Sequence, residues 1–170
     1  MDTEIVLYQL KSDKNSKRFP VLNDYSVVKW TPSFTRIIPP KKNMKYINYW
    51  FFHYLKIFKN RNYSAVQVFN SDILVSSLLV VPAHFKWPFM NKNDVQFTYV
   101  MTNKDYRGKG IAMQTIMRVI NDLAPVTNSF WYVTDTNNFA SIRVAEKLGF
   151  KLAGKGKKSK ILGILNIKKR

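Results

Sequence analysis

The stretch Tyr106-Arg107-Gly108-Lys109-Gly110-Ile111-Ala112 constrains this chain more than any other, because it sets two glycines and two cations directly ahead of a helical run. The apolar spacing from Ile111 to Leu123 predicts an amphipathic helix. N–H groups at a helix start have no intrahelical partner, and with the helix dipole they form a site for an anion, most often phosphate. Glycine lets that backbone come close to its ligand. Two common phosphate loops do not fit the letters. The triphosphate loop, Gly, four residues, then Gly-Lys-Ser/Thr, is absent. The dinucleotide fingerprint is met by Gly108 and Gly110, but Met113 stands where the third glycine belongs.

Around this turn the chain reads as a strand-rich first half followed by β-α-β-α-β. Strands are expected at Glu4 to Leu10, Tyr25 to Trp30, Tyr63 to Phe69, Ile73 to Val81 and Asp94 to Thr102. Three more are expected at Phe130 to Thr134, Phe150 to Gly154 and Lys160 to Ile167. Asn70-Ser71-Asp72 reads as a hairpin turn. After the break at Ile38-Pro39-Pro40, apolar residues recur at helical spacing from Asn43 to Lys59, and a last helix runs from Asn138 to Leu148, ending at Gly149.

A third phosphate-loop pattern, Arg/Gln-x-x-Gly-x-Gly/Ala, is met in full by Arg107, Gly108, Lys109, Gly110, Ile111 and Ala112. Farther on, Asn137-Asn138-Phe139-Ala140-Ser141 leads into Glu146-Lys147-Leu148-Gly149-Phe150. With these two motifs at their separation, the chain resembles the GCN5-related N-acetyltransferases (GNAT). The likeness is specific over residues 94 to 154 and holds only in outline over residues 1 to 62. It implies an α/β fold, α+β by layer: a mixed, mostly antiparallel sheet of six or seven strands with helices on both faces. The family's fourth and fifth strands, here Asp94–Thr102 and Phe130–Thr134, are expected to splay apart. One domain spans 1–170, with an acceptor-side half at 1–93, an acetyl-CoA-binding core at 94–154, and a basic C-terminal strand and tail at 155–170.

The resemblance also implies roles. The strand edge at Val100, Met101 and Thr102 is expected to pair with the pantetheine arm of acetyl-CoA like an added strand. The Val100 N–H would donate to charge developing on the thioester oxygen. The amides from Arg107 to Ala112 would cradle the pyrophosphate, and Asn137 would hydrogen-bond the cofactor arm unless it serves as an ordinary helix cap, a role Asn138 could fill equally. The chain departs from the family at two places. Ala145 stands where many relatives carry a tyrosine that protonates the leaving thiolate, and Gln96 stands where some carry a catalytic glutamate. Asp94, on the same strand face, and His84 are then the candidate bases, acting directly or through water, beside the bland alternative of strand-end polar residues.

Composition narrows the partners. The 170 residues contain no cysteine and two histidines far apart, which removes disulfides, thiol nucleophiles and thiolate metal sites and leaves no expectation of a metal. The start is acidic and lacks a signal-peptide core, and the longest apolar run is too short to span a bilayer, so a cytoplasmic location is expected. Against 10 Asp and Glu stand 28 Lys and Arg, a formal charge of +18 that favours anionic partners over polycationic ones. A small amine acceptor follows, an amino sugar on a nucleotide carrier being favoured on charge alone. Other readings are protein N-terminal acetylation, a relative that has lost catalysis, and a basic nucleic-acid-binding module, although no stable nucleic acid partner is expected. The aromatics of Lys45 to Tyr54 exceed one core stripe; packing on two sides, a homodimer interface, an acceptor groove and a peripheral membrane contact remain open.

Overall fold

The computed structural model describes residues 4–13, 22, 24–36, 39–41, 46–158 and 164–168. Its elements run β1 (Glu4–Lys11), β2 (Ser26–Trp30), α1 (Ile47–Tyr54), β3 (Ser64–Asn70), β4 (Ile73–Pro82) and β5 (Val95–Thr102), and continue with α2 (Ile111–Leu123), β6 (Ser129–Asp135), α3 (Phe139–Lys147), β7 (Lys151–Lys158) and β8 (Leu165–Lys168). The strands form one eight-stranded sheet in the order β2-β3-β4-β5-β6-β1-β7-β8. They fall on the eight stretches read as strands, β7 running on to Lys158 and β8 described from Leu165, so the count exceeds the six or seven that the family resemblance implies. Every neighbouring pair is antiparallel except β5 and β6. That exception follows from connectivity, since α2 carries the chain back over the sheet before β6 begins.

Strand alternation sorts the core into two layers. Val6, Tyr8, Leu78, Val80, Val95, Phe97, Phe130 and Tyr132 share one face and pack against Ile116, Val119 and Leu123 of α2 and Ala145 of α3. On the other face Ile5, Leu7 and Trp131 pack against Trp87 and Met90, and Leu79 and Val81 against Tyr46 and the inner side of α1. Both faces are thus covered, which is why the central strands read as nearly unbroken apolar runs.

Helix ends show where local chemistry was and was not visible. Helix α3 stops where expected: Gly149 takes a φ of 83°, its N–H donates to the Glu146 carbonyl, and the Phe150 N–H donates to that of Ala145. This is a Schellman cap. Helix α1 is shorter than the periodicity from Asn43 to Lys59; Asn43, Met44 and Lys45 lie outside the described residues. Its C-terminal end makes the same cap without glycine. Lys56 has a φ of 55°, with Lys56 N–H to the His53 carbonyl at 3.2 Å and Ile57 N–H to the Phe52 carbonyl at 2.9 Å. Apolar spacing continues past the cap, so the pattern overran the helix. The hairpin turn is as read, Asn70 pairing with Ile73 and Ser71 at a φ of 51°. Of the last expected strand, Lys160 to Gly163 lie outside the described residues.

Candidate active site

Strand β5 has two neighbours only at its beginning. Val95, Gln96 and Phe97 pair in parallel with Phe130, Trp131 and Tyr132 of β6, whereas Thr98 to Thr102 pair on the β4 side alone. This is the expected splay. The β4 register also skips a residue: Thr98 opposes Leu79 and Met101 opposes Ser77, leaving Tyr99 and Val100 together across from Leu78. Such a bulge bends a strand and re-aims its side chains. Tyr99 carries it at a φ of 50°, a left-handed conformation that costs a non-glycine residue on the order of 1–3 kcal/mol.

The extra residue inverts the alternation. Phe97 and Val100 both pack in the layer under α2 and α3, while the Tyr99 ring turns to the α1 side, 6.1 Å from Tyr46 and 6.2 Å from Tyr49. Beyond the bulge, the Asn103 N–H donates to the Val75 carbonyl at 2.8 Å. Groups directed at a neighbouring strand alternate along an antiparallel ladder, so the N–H groups of Val100 and Thr102 point away from β4, toward the opened edge.

The turn that follows carries the phosphate-loop pattern. Arg107 is extended, and its Nε donates to the Thr102 carbonyl at 3.3 Å, which ties the turn to the strand end. Gly108 and Gly110 take φ values of 78° and 75°. A Cβ added at Gly108 would meet nothing within 4 Å, and one at Gly110 would meet only Gln114 Nε2 at 3.7 Å. Backbone angle, not crowding by the protein, therefore asks for glycine here. Helix α2 starts at once, with no acidic residue in its first turn. The amides of Ile111, Ala112 and Met113 have no acceptor within the helix, and Lys109 stands 4.9 Å over the Tyr106 ring. Helix-start amides without an intrahelical acceptor, two cations beside them and no carboxylate in the first turn fit a diphosphate.

At the second motif, the cap falls on Asn138, whose side chain accepts from the Ser141 N–H at 3.1 Å. Asn137 is exposed in the turn that follows β6 and lies outside that cap. Glu146 accepts a hydrogen bond from the Tyr8 hydroxyl at 3.0 Å, pinning α3 to β1. Ala145 is fully buried in the core.

Asp94, Gln96 and His84 all lie in the interior. Asp94 Oδ2 accepts from Trp131 Nε1 and from the Asn91 N–H, both at 2.9 Å, while Oδ1 has no hydrogen-bond partner among the described residues. The Gln96 side-chain oxygen is likewise buried and unpartnered. His84 sits among the rings of Tyr49, Phe52, Phe58, Phe85 and Trp87. Its Nδ1 lies 3.0 Å from the Pro82 carbonyl, a contact that places the proton on Nδ1 and leaves the buried Nε2 with a free lone pair. Burial pushes its pKa down to about 4, the Pro82 bond opposing and Lys86 and Lys59 assisting, so the ring is neutral near pH 7. Sequence reasoning missed Tyr99, and with it the convergence of Tyr46, Tyr49 and Tyr99. No local signal marks a tyrosine for a bulge. Among the described residues no group of His, Asp and Glu could hold a metal ion, and no helix is long and apolar enough to cross a membrane.

A mixed sheet opened beside a glycine turn at a helix start defines an acyl-coenzyme A-binding transferase fold. Comparison agrees: residues 5–151 match the acetyltransferase (GNAT) domain, and the chain belongs to that family, whose co-substrate is acetyl-CoA. No curated protein matches the chain by sequence. Among solved structures it is similar to a GNAT-family protein of Novosphingobium aromaticivorans, at TM-score 0.57 and 15% identity, covering 91% of this chain and 62% of that one. It is similar to a GCN5-related N-acetyltransferase of Sphaerobacter thermophilus at TM-score 0.61 and 12% identity, covering 91% and 50%. A tandem GNAT protein from the clavulanic acid biosynthesis pathway gives TM-score 0.58 and 13% identity, covering 89% and 50%. The chain thus spans about half to three-fifths of the length of those proteins, and the likeness to them is one of fold.

Proposed function

We propose that the chain is an acetyl-CoA-dependent N-acetyltransferase that moves an acetyl group to a primary amine of a small acceptor by direct attack in a ternary complex. The observation that carries this reading is the one-sided strand end from Thr98 to Thr102, with the Val100 and Thr102 amides turned to the gap. Acetyl-CoA supplies the activated acetyl group as a thioester. Residues Val100 to Thr102 hold its pantetheine arm, the amides from Arg107 to Ala112 hold its pyrophosphate, and Asn137 bonds the arm from the other side of the gap. The Val100 N–H is the oxyanion donor, a role in which loss of one preorganised donor costs roughly 3–4 kcal/mol.

The acceptor enters from the α1 face, where Tyr99 joins Tyr46 and Tyr49. Gln96 orients the amine. His84, through its unpartnered Nε2, and Asp94, through its unpartnered Oδ1, are the two candidate bases, acting through water, and Asp94 also fixes Trp131 and the 91–94 turn. No tyrosine stands at position 145, so the thiol of coenzyme A, with a pKa in the ordinary range of roughly 8–9, leaves with a proton from solvent or another hydroxyl. The charge of +18 supports an anionic acceptor such as a nucleotide-carried amino sugar.

Calorimetric titration with acetyl-CoA, followed by thiol-release assays over a panel of amines with and without nucleotide carriers, tests the reading. Binding without turnover of any amine would reduce the protein to a coenzyme-binding relative. No binding at all would remove the assignment.

A further inference from the structure

Helix α1 turns an apolar ridge outward. Ile47, Phe51 and Leu55, spaced four residues apart and so on one stripe, are 40%, 50% and 68% exposed, and Phe34 on the preceding turn is 89% exposed. The two parts are continuous. Phe34 lies 5.4 Å from the Tyr54 ring, Tyr54 lies 5.3 Å from Trp50, and Trp50 lies 5.0 Å from Phe51. Cations flank the ridge along the chain: exposed Lys56 follows Leu55, and Arg36 closes the turn that presents Phe34, whereas Lys59 is turned to the Met90 carbonyl. Across residues 25–71 the sequence holds eight Lys and Arg and no Asp or Glu. The ridge takes no part in the proposed acetyl transfer, whose rings Tyr46 and Tyr49 lie on the inner side of α1.

We propose that this face docks on an anionic lipid bilayer, the tips of Phe34, Phe51, Leu55 and Ile47 entering the headgroup boundary while the flanking cations meet lipid phosphates. Charge selects this occupant. A second copy of the chain would bring the same segment, eight cations and no acid across residues 25–71, against itself, and like charges repel. A nucleic acid strand would satisfy the cations and stack on Phe34 and Phe51, but it would leave the exposed Ile47 and Leu55 without an apolar partner. A bilayer of anionic lipid offers both a negative surface for the cations and an apolar layer for the ridge, the arrangement that amphipathic surface helices use.

The test is co-sedimentation of the whole chain with vesicles of phosphatidylcholine alone and of phosphatidylcholine mixed with phosphatidylglycerol. Binding is expected to be about tenfold or more stronger on the anionic vesicles, to weaken in high salt, and to fall about tenfold in Phe51→Ser/Leu55→Ser. Phe34→Ser, on a separate element, is expected to weaken it independently, and melting curves of all variants are compared with the parent. Equal binding to both vesicle types, or anionic binding that ignores all three substitutions, overturns the proposal. So does a protein that leaves vesicles untouched but binds polyuridylate through these residues, or one whose sedimentation equilibrium shows a dimer that the double substitution dissociates.

Discussion

The ring of Tyr99 stands 6.2 Å from that of Tyr49, at 71°, on the face of the sheet opposite the one where the next residue, Val100, packs. Two consecutive strand residues ordinarily diverge in this way, but here the bulge has changed which of them goes where. Without it Tyr99 would share the face of Phe97, and Val100 would turn to α1. The left-handed angle at Tyr99 thus turns a phenol to the α1 side and the Val100 side chain to the layer under α2 and α3.

That angle separates two substitutions. Tyr99→Gly removes the ring but relieves the positive φ, whereas Tyr99→Ala removes the ring and keeps the strain. The glycine variant is expected to be the more stable by about 1 kcal/mol in urea unfolding, although glycine is normally the worse strand residue. Both are expected to raise KM for the amine while leaving acetyl-CoA affinity unchanged. An alanine variant as stable as the glycine one would mean that the bulge relaxes.

At Gly110 the relevant quantity is again the φ of 75°. Gly110→Val is expected to weaken acetyl-CoA binding about tenfold or more by calorimetry and to lower stability by about 1–2 kcal/mol, the cost of a left-handed β-branched residue. Gly110→Asn, which tolerates that angle better, should recover most of the stability. Unchanged acetyl-CoA affinity in a folded valine variant would move the diphosphate elsewhere.

For Gln96→Ala, turnover is expected to drop roughly tenfold, about 1.4 kcal/mol in the barrier, with a much smaller change in acetyl-CoA affinity. Equal losses in both would place the side chain in support of the sheet rather than beside the amine.

His84 predicts an acid-sensitive fold. Its pKa is depressed to about 4 in the folded chain, so the unfolded chain takes up a proton first as pH falls below the ordinary value near 6.5. The stability it contributes is complete above that value and is lost progressively down to about pH 4, at most about 3 kcal/mol. In His84→Phe, which cannot titrate, the stability difference between pH 7.5 and 5 should shrink. A variant with the same acid loss as the parent would assign that loss to other groups.

The architecture was legible because its signals are local. Apolar runs separated by turn residues, the glycines at 108, 110 and 149, and the amphipathic spacing of α2 each act within a few residues; they appear where they were read, except that β7 runs on to Lys158 and the last strand is described only from Leu165. The end of α1 was not legible, since Lys56 adopts an angle that sequence assigns to glycine. Nor was the cap of α3 separable between Asn137 and Asn138 until backbone angles chose Asn138. The aromatic cluster beneath α1 is the least local part. Tyr46, Tyr49, Tyr99 and His84 come together only because α1 lies across β4 and β5, and no spacing in the chain records that crossing. Even the second motif has a long-range element, because Glu146 is held by Tyr8 from 138 positions away.

The place of β1 has a consequence for how the protein is made. It lies between β6 and β7, which are not neighbours of each other, and its residues Ile5 to Lys11 pair with Asp135 back to Ser129. A ribosome releases this strand early, yet the slot it fills is finished only after β7 has emerged. The two motifs at Arg107 and Asn137 are therefore synthesised before β1 can take its place between β6 and β7.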